Sequence, residues 1–229
     1  MFKGQITDVF FDLDHTLWDF EKNSELTFKK IFSESGVEID LADFLKAYVP
    51  INHAFWKLYR EEKVAKEELR YLRLRRSFDS INFDITDDLI NWLSDAYIAH
   101  LSSFNNVFPG TFQILNYLKP NYRLHIITNG FSEIQEKKLV NSQIRDFFQV
   151  VVNSEMAGVK KPNPKIFKMA LDKANVEPNN ALMIGDNLEA DILGAQNVGF
   201  STIHFFSNDE NHHEFSLIIH HLDEIKKYL

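Results

Sequence analysis

The sequence of 229 residues contains no cysteine, which excludes disulfide bonds, thiolate nucleophiles and zinc sites built on sulfur ligands. It also lacks any stretch close to the roughly 18 consecutive apolar residues that a membrane-spanning helix needs. The first residues, Met1 to Gly4, do not have the layout of a signal peptide. The sequence therefore predicts a protein of the cytoplasm that does not associate with membranes.

Basic residues are in the minority, with 25 Lys and Arg against 33 Asp and Glu and a net charge of −8. This balance repels the phosphate backbone of nucleic acids and anionic membrane surfaces, so we expect neither as a partner. A small phosphorylated metabolite remains compatible, because a bound metal ion can reverse the charge locally. The composition does not indicate an oligomeric state.

Short apolar segments alternate with amphipathic stretches along most of the chain. This alternation predicts an α/β protein whose core is a Rossmann-like, doubly wound parallel sheet with helices on both faces. The predicted strands are Ile6–Phe11, Leu124–Thr128, Val150–Asn153, Ala181–Ile184 and Ser201–Phe205, and the predicted helices between the later ones are Phe112–Leu118, Ser132–Asn141, Pro164–Asn175 and Leu188–Asn197.

More than a hundred residues separate the first predicted strand from the second, far more than a helical crossover requires. This interval is rich in helix-forming residues and contains only Gly36 and Pro50 as helix breakers. We therefore predict a helical cap domain at residues 18–106, inserted into a catalytic core formed by residues 1–17 and 107–229.

Carboxylates follow two of the predicted strands. Asp12 and Asp14 lie two residues apart after the first strand, and Asp186 and Asp191 follow Gly185 at the end of the fourth. Such groups either hold a hard divalent cation or divide nucleophilic and acid/base roles between them. The alternative interpretations are an Asp-rich turn for the first pair and helix capping for the second.

Two further segments carry groups that suit phosphoryl oxygens. Thr128 and Asn129 follow the second strand, and Lys161 precedes Pro162 ahead of a helix. Phosphoryl transfer depends mainly on positioning and charge stabilisation, which a hydroxyl, loop amides and a lysine supply. Taken singly, Thr128 is better explained by an ordinary turn, and Lys160 and Lys161 by a solvated lysine pair.

The order and placement of these four loops resemble the haloacid dehalogenase superfamily, in the type with a helical cap after the first loop. The resemblance covers residues 1–16 and about 107–229. It implies Asp12 as nucleophile, Asp14 as general acid/base with Thr16 supporting the loop, and Thr128 and Lys161 as phosphate-binding groups. It also implies a Mg²⁺ ion held by Asp12, Asp186 and the main-chain carbonyl of Asp14, with Asp191 supporting Asp186.

Within the superfamily, the runs Phe11–Phe20 and Ile127–Phe131 resemble nucleotidases that act on pyrimidine nucleotides. The resemblance implies a Mg²⁺-dependent phosphatase acting on a nucleoside 5′-monophosphate through an aspartyl phosphate. A sugar-phosphate or phosphoglycolate phosphatase, a phosphomutase and a non-catalytic module that binds a phosphorylated ligand are the alternatives. Trp18, Phe20 and Phe131 either stack on a base or pack inside the protein, and His15 is interpreted as a loop residue.

The segment Arg70–Arg76 is the one strongly basic stretch. Because Arg alternates with Leu there, we interpret it as a helix with one solvated face rather than as a catalytic element.

Overall fold

The apolar strand segments assemble into a single parallel sheet in the computed structural model, which describes residues 2–206 and 213–229. Six strands are present in these residues, in the order β3-β2-β1-β4-β5-β6, and each adjacent pair is parallel. They are β1 (Asp8–Phe11), β2 (Arg123–Thr128), β3 (Phe148–Asn153), β4 (Ala181–Gly185), β5 (Ser201–Phe205) and β6 (Leu217–Ile219). The predicted fold class is confirmed.

The strand predictions agree with five of these six elements to within two residues at each end. The sixth strand, β6, was not predicted. It has only three residues, and an apolar run of that length carries too little pattern to indicate a strand.

Nine α-helices lie in the described residues. They are α1 (Phe20–Ser35), α2 (Leu41–Arg60), α3 (Lys66–Ser80), α4 (Asp87–Leu101), α5 (Thr111–Leu118), α6 (Ser132–Asn141), α7 (Ser154–Ala157), α8 (Pro164–Ala174) and α9 (Gly194–Gln196). A π-helical turn, Leu188–Leu193, runs directly into α9, so the predicted helix at 188–197 forms with an irregular first part. Among these residues, no helix is both long and apolar enough to cross a membrane.

The chain divides into two compact units, one made of Met1–Phe20 with Asn105–Leu229 and the other of Glu21–Phe104. The first contains the whole sheet. The predicted division placed the two boundaries after residues 17 and 106, whereas the division in the structure follows residues 20 and 104.

The second unit is helical and is built around an aromatic core. Phe28 packs edge-on against Phe44 and Tyr48, with ring centroids 4.9 and 4.6 Å away. Aromatic pairs in this arrangement add to the stabilisation from apolar burial.

Arg73 corrects the interpretation of the basic stretch. Its side chain is only 2% exposed. It donates to Asn52 Oδ1 at 3.1 Å, and its guanidinium lies 4.9 Å from the centre of the Tyr97 ring. The helix α3 thus has a solvated face, but Arg73 belongs to the core of the helical unit.

Candidate active site

The site follows from the register of the three central strands. β1 lies between β2 and β4, and Phe11 is level with Ile126 on one side and Ile184 on the other. The Asp12 amide still donates to the Ile184 carbonyl at 2.9 Å. Because parallel strands end at the same edge of the sheet, Asp12 emerges between the loops that follow β2 and β4.

Lys161 makes three contacts at the centre of the site. Its Nζ lies 2.5 Å from Asp12 Oδ1 and 2.6 Å from Asp191 Oδ1, and it donates to the Ile127 carbonyl at 2.7 Å. The residue is 2% exposed. Burial lowers the pKa of Lys161, but the negative charges of Asp12 and Asp191 outweigh that effect and raise its pKa above the ordinary value. The ammonium is therefore a fixed positive charge.

Three carboxylates meet beside this lysine. Carboxylate oxygens of Asp12, Asp186 and Asp191 all lie within 4.8 Å of one another. Burial, followed by the Asp191 and Asp14 charges, raises the pKa of Asp12 to about 7 against the opposing effect of Lys161. Burial and the charges of Asp191 and Asp12 raise the pKa of Asp186 well above its ordinary value.

The charge of this cluster fits a divalent cation. When all three carboxylates are ionised, they and the one ammonium leave two negative charges at the site. All the ligand atoms offered are carboxylate oxygens, which are the donors that Mg²⁺ prefers. A bound divalent ion would offset both causes of the raised pKa values of Asp12 and Asp186, the burial first and then the repulsion between the carboxylates.

Two of the predicted supporting residues lie against this cluster. Thr16, fully buried, donates its hydroxyl to Asp186 Oδ1 at 3.3 Å. Asp191 accepts from the Asn187 amide at 3.0 Å in addition to its ion pair with Lys161. A Cβ atom on Gly185 would lie 2.4 Å from Asp191 Oδ2, so the strand end requires glycine for this close approach.

Asn129 holds the lysine loop in place. Its Oδ1 accepts from the Lys161 amide at 2.7 Å, and its Nδ2 donates to the Lys161 carbonyl at 3.0 Å. The side chain therefore joins the loop after β2 to the loop that carries Lys161. The predicted contact of Asn129 with phosphate stays a prediction.

Asp14 is held by two residues that the sequence analysis missed. Lys138 Nζ lies 2.5 Å from Asp14 Oδ1, and Gln135 Nε2 donates to Asp14 Oδ2 at 2.9 Å. Gln135 Nε2 also lies 2.6 Å from Thr128 Oγ1, which accepts from the Gly130 amide as well. With its oxygen accepting from two donors, Thr128 has its hydroxyl proton left to donate. Their spacing places Gln135 and Lys138 on one face of α6, but the sequence alone does not show that this face is buried.

The aromatic residues near the first loop are buried rather than displayed. Trp18 is fully buried, and Phe20 and Phe131 are also buried. Trp18 and Phe20 surround the Lys138 ammonium, with ring centres 4.2 and 5.3 Å away. His15 has a left-handed backbone with φ of 62° and packs on the Phe20 ring at 4.9 Å. The packing interpretation is therefore favoured for Trp18 and Phe20.

A histidine pair supports the backbone of Asp186. His204, on β5, has its Nε2 2.6 Å from the Asp186 carbonyl oxygen and its Nδ1 2.7 Å from His213 Nε2. His213 Nδ1 accepts from the Phe215 amide at 3.2 Å. Because a carbonyl and an amide fix the two ends, His213 donates to His204 and His204 donates to Asp186.

Comparison with known proteins decides the family. Residues 9–205 match the model of the haloacid dehalogenase-like hydrolases. The chain belongs to this family. The match confirms the resemblance inferred from the four loops. It also confirms the prediction that this hydrolase is an enzyme.

Individual relatives of this hydrolase are similar over most of their length. The pyrimidine 5′-nucleotidase YjjG of Escherichia coli is 34% identical over 195 residues, which cover 85% of this chain and 83% of the relative. The glyceraldehyde 3-phosphate phosphatase of Pyrococcus abyssi is 36% identical over 202 residues, covering 86% and 80%. The crystal structure of the hydrolase YfnB from Bacillus subtilis, bound to magnesium, has a TM-score of 0.88 and 25% identity, and 98% of each chain is covered.

Proposed function

We propose that this hydrolase is a Mg²⁺-dependent phosphatase that transfers the phosphoryl group of a small phosphate monoester to Asp12. The observation that carries the proposal is the arrangement of Asp12 at a strand end, 2.5 Å from the buried Lys161 and close to two further carboxylates, Asp186 and Asp191. An anionic nucleophile, a fixed cation and a site for a divalent ion are the parts that phosphoryl transfer needs.

Asp12 is the nucleophile in this proposal. Its Oδ1 is fixed by Lys161, so Oδ2 is the oxygen left to attack phosphorus in line with the departing alkoxide. Lys161 and the hydroxyl of Thr128 supply positive charge and a hydrogen bond to the transferring oxygens. The product of this step is an aspartyl phosphate on Asp12.

Asp14 is the general acid/base. In its protonated form Asp14 gives its proton to the leaving alkoxide, and the carboxylate that results later takes a proton from the water that hydrolyses the aspartyl phosphate. This carboxylate favours phosphoryl transfer over dehalogenation, because a departing halide needs no proton. Its isolated β-bridge with Trp18 fixes the backbone of the loop.

The Mg²⁺ would be held by Asp12, Asp186 and the main-chain carbonyl of Asp14. Thr16 donates to Asp186, and Asp191 accepts from the amide of the next residue, Asn187. When bound, the ion supplies positive charge that keeps the carboxylates of Asp12 and Asp186 ionised and offsets the charge of the phosphate. His204 restrains Asp186 through its carbonyl oxygen.

Pyrimidine nucleoside 5′-monophosphates are the proposed substrates. The support is the sequence resemblance over the first two loops and the similarity to a pyrimidine 5′-nucleotidase over 85% of this chain. A sugar or triose phosphate is the second candidate, favoured by the 36% identity to a glyceraldehyde 3-phosphate phosphatase. The partner is in either case a small phosphorylated metabolite, and the cytoplasmic location stays a prediction.

Phosphate release from a panel of esters tests the proposal. The panel compares UMP, CMP and dTMP with purine nucleotides, glyceraldehyde 3-phosphate, hexose phosphates and phosphoglycolate, each with Mg²⁺ and with EDTA. We expect Mg²⁺-dependent release that is greatest for the pyrimidine nucleotides and absent in Asp12→Asn. Preference for the triose phosphate would move the substrate to the second candidate, and no release from any ester would contradict the proposed function.

A further inference from the structure

Lys138 is a buried charge that the proposed mechanism does not use. Its side chain is 3% exposed and lies on α6, whose neighbouring residue Lys137 is exposed. Placing an ammonium in such an environment costs free energy unless it is paired, and a lysine without a specific role is normally solvated. The position of Lys138 therefore requires a partner, and the partner is Asp14.

Lys138 and Gln135 together occupy both oxygens of the Asp14 carboxylate. The ammonium takes Oδ1 at 2.5 Å and the amide takes Oδ2 at 2.9 Å. Residues three apart on a helix lie on the same face, so α6 presents both donors side by side. Two donors from one rigid element define the plane of the carboxylate as well as its position.

The aromatic surroundings fix the lysine in turn. Its ammonium lies 4.2 Å from the Trp18 ring centre and 5.3 Å from that of Phe20. Both rings belong to the segment that follows Asp14, and the Trp18 backbone bridges to Asp14 itself. Cation–π attraction and the ion pair thus hold one ammonium against one continuous loop.

We infer that Lys138, assisted by Gln135, is the positioning residue that orients the Asp14 carboxylate for proton transfer to the leaving group. The inference rests on the proposed function, in which Asp14 is the general acid/base. A general acid is effective only when it reaches the leaving oxygen in a defined geometry. Lys138 acts through Asp14 and does not touch substrate in this inference.

The dependence of rate on the leaving group separates this role from a structural one. The parameter kcat/KM reports the steps up to departure of the leaving group, which is the step that the acid assists. An alkoxide, as from UMP, needs a proton to depart, whereas 2,4-dinitrophenolate does not. A residue that positions the acid therefore affects the alkyl ester much more than the activated aryl ester.

The experiment measures kcat/KM for UMP and for 2,4-dinitrophenyl phosphate with saturating Mg²⁺. In Lys138→Met we expect a loss on the order of 100-fold for UMP, within the range of general acid catalysis, and a loss at least tenfold smaller for the aryl ester. Lys138→Arg should recover most of the UMP activity, because it restores the positive donor. Lys137→Gln, one residue away on the exposed side of α6, is the control and should match wild type on both esters.

A double variant tests whether Lys138 acts through Asp14. In the background of Asp14→Asn, adding Lys138→Met should cause little further loss with UMP, because the group that the lysine positions is already gone. If Lys138→Met is not recovered as folded protein, Lys138→Gln, which keeps a donor without the charge, is used for the same comparison.

Equal losses on both esters, or activity equal to wild type on UMP, would overturn the inference. If Asp14→Asn shows the expected difference between the esters while the Lys138 variants do not, the inference fails and the proposed function stands. If wild type hydrolyses neither of these esters nor any ester of the panel described above, the proposed function itself fails.

Discussion

Removing the charge of Asp12 should abolish activity and at the same time stabilise the metal-free protein. Asp12 is 7% exposed, and its pKa is raised from 3.8 to about 7, first by burial and then by the Asp191 and Asp14 charges. Ionising Asp12 in the metal-free folded protein therefore costs about 4 kcal/mol more than in the unfolded chain. Asp12→Asn keeps the shape and removes that cost.

The sign of the pH dependence follows from the raised pKa. Between pH 3.8 and about 7 the folded wild type binds more protons at Asp12 than the unfolded chain does. The contribution of Asp12 to the free energy of unfolding therefore falls as pH rises through this window, and it stays constant at higher pH. Asp12→Asn has no carboxyl group to titrate at this position. Its free energy of unfolding should therefore exceed that of wild type by little near pH 4 and by about 4 kcal/mol at pH 8.

Urea unfolding in EDTA at pH 5, 6.5 and 8 measures this difference. For an m-value of about 2 kcal/mol/M, the full effect displaces the midpoint by about 2 M. Asp172→Asn, which removes an exposed carboxylate on α8 outside the site, is the control for the loss of one carboxylate. Adding Mg²⁺ at pH 8 should stabilise wild type much more than Asp12→Asn. An Asp12→Asn protein that is less stable than wild type in EDTA at pH 8 would refute the electrostatic reasoning.

Two substitutions test the supports of the site. In Gly185→Ala the new Cβ would lie 2.4 Å from Asp191 Oδ2. We therefore expect the free energy of unfolding to fall by about 1–3 kcal/mol and the Mg²⁺ concentration for half-maximal activity to rise about 10- to 100-fold. An unchanged Mg²⁺ titration would show that Asp191 does not support the metal site. In Asn129→Ala the Lys161 amide and carbonyl lose their side-chain partners. We expect urea unfolding to show a free energy of unfolding lower by about 1–3 kcal/mol, together with a lower kcat. Full activity would contradict the positioning of Lys161 by Asn129.

The sequence was sufficient to predict the sheet and the loops at its edge. Buried parallel strands appear as short apolar runs, and the carboxyl ends of neighbouring strands converge. The pairs that resulted, Asp12 with Lys161 and Thr16 with Asp186, join residues 149 and 170 positions apart. The family resemblance pointed to these four residues. Their positions in the sequence alone did not show that they pair with one another.

Residues placed by tertiary packing were not predictable in the same way. Gln135 and Lys138 lie on a helix whose buried face depends on which side meets the core, and a polar residue between Ile134 and Leu139 carries no mark of burial. Arg73 was interpreted as solvated because it alternates with leucines. Its burial depends on Tyr97 and Asn52, which come from two other helices of the same unit.

The central claim is that Asp12 receives the phosphoryl group. Wild-type protein mixed with Mg²⁺ and excess UMP, quenched in acid within the first turnover and digested, is examined by peptide mass spectrometry. We predict a phosphoryl group on the peptide that contains Asp12, absent when EDTA replaces Mg²⁺ and absent in Asp12→Asn. Rapid release of phosphate with no phosphorylated peptide at any time, or with the phosphoryl group on a different residue, would contradict the account.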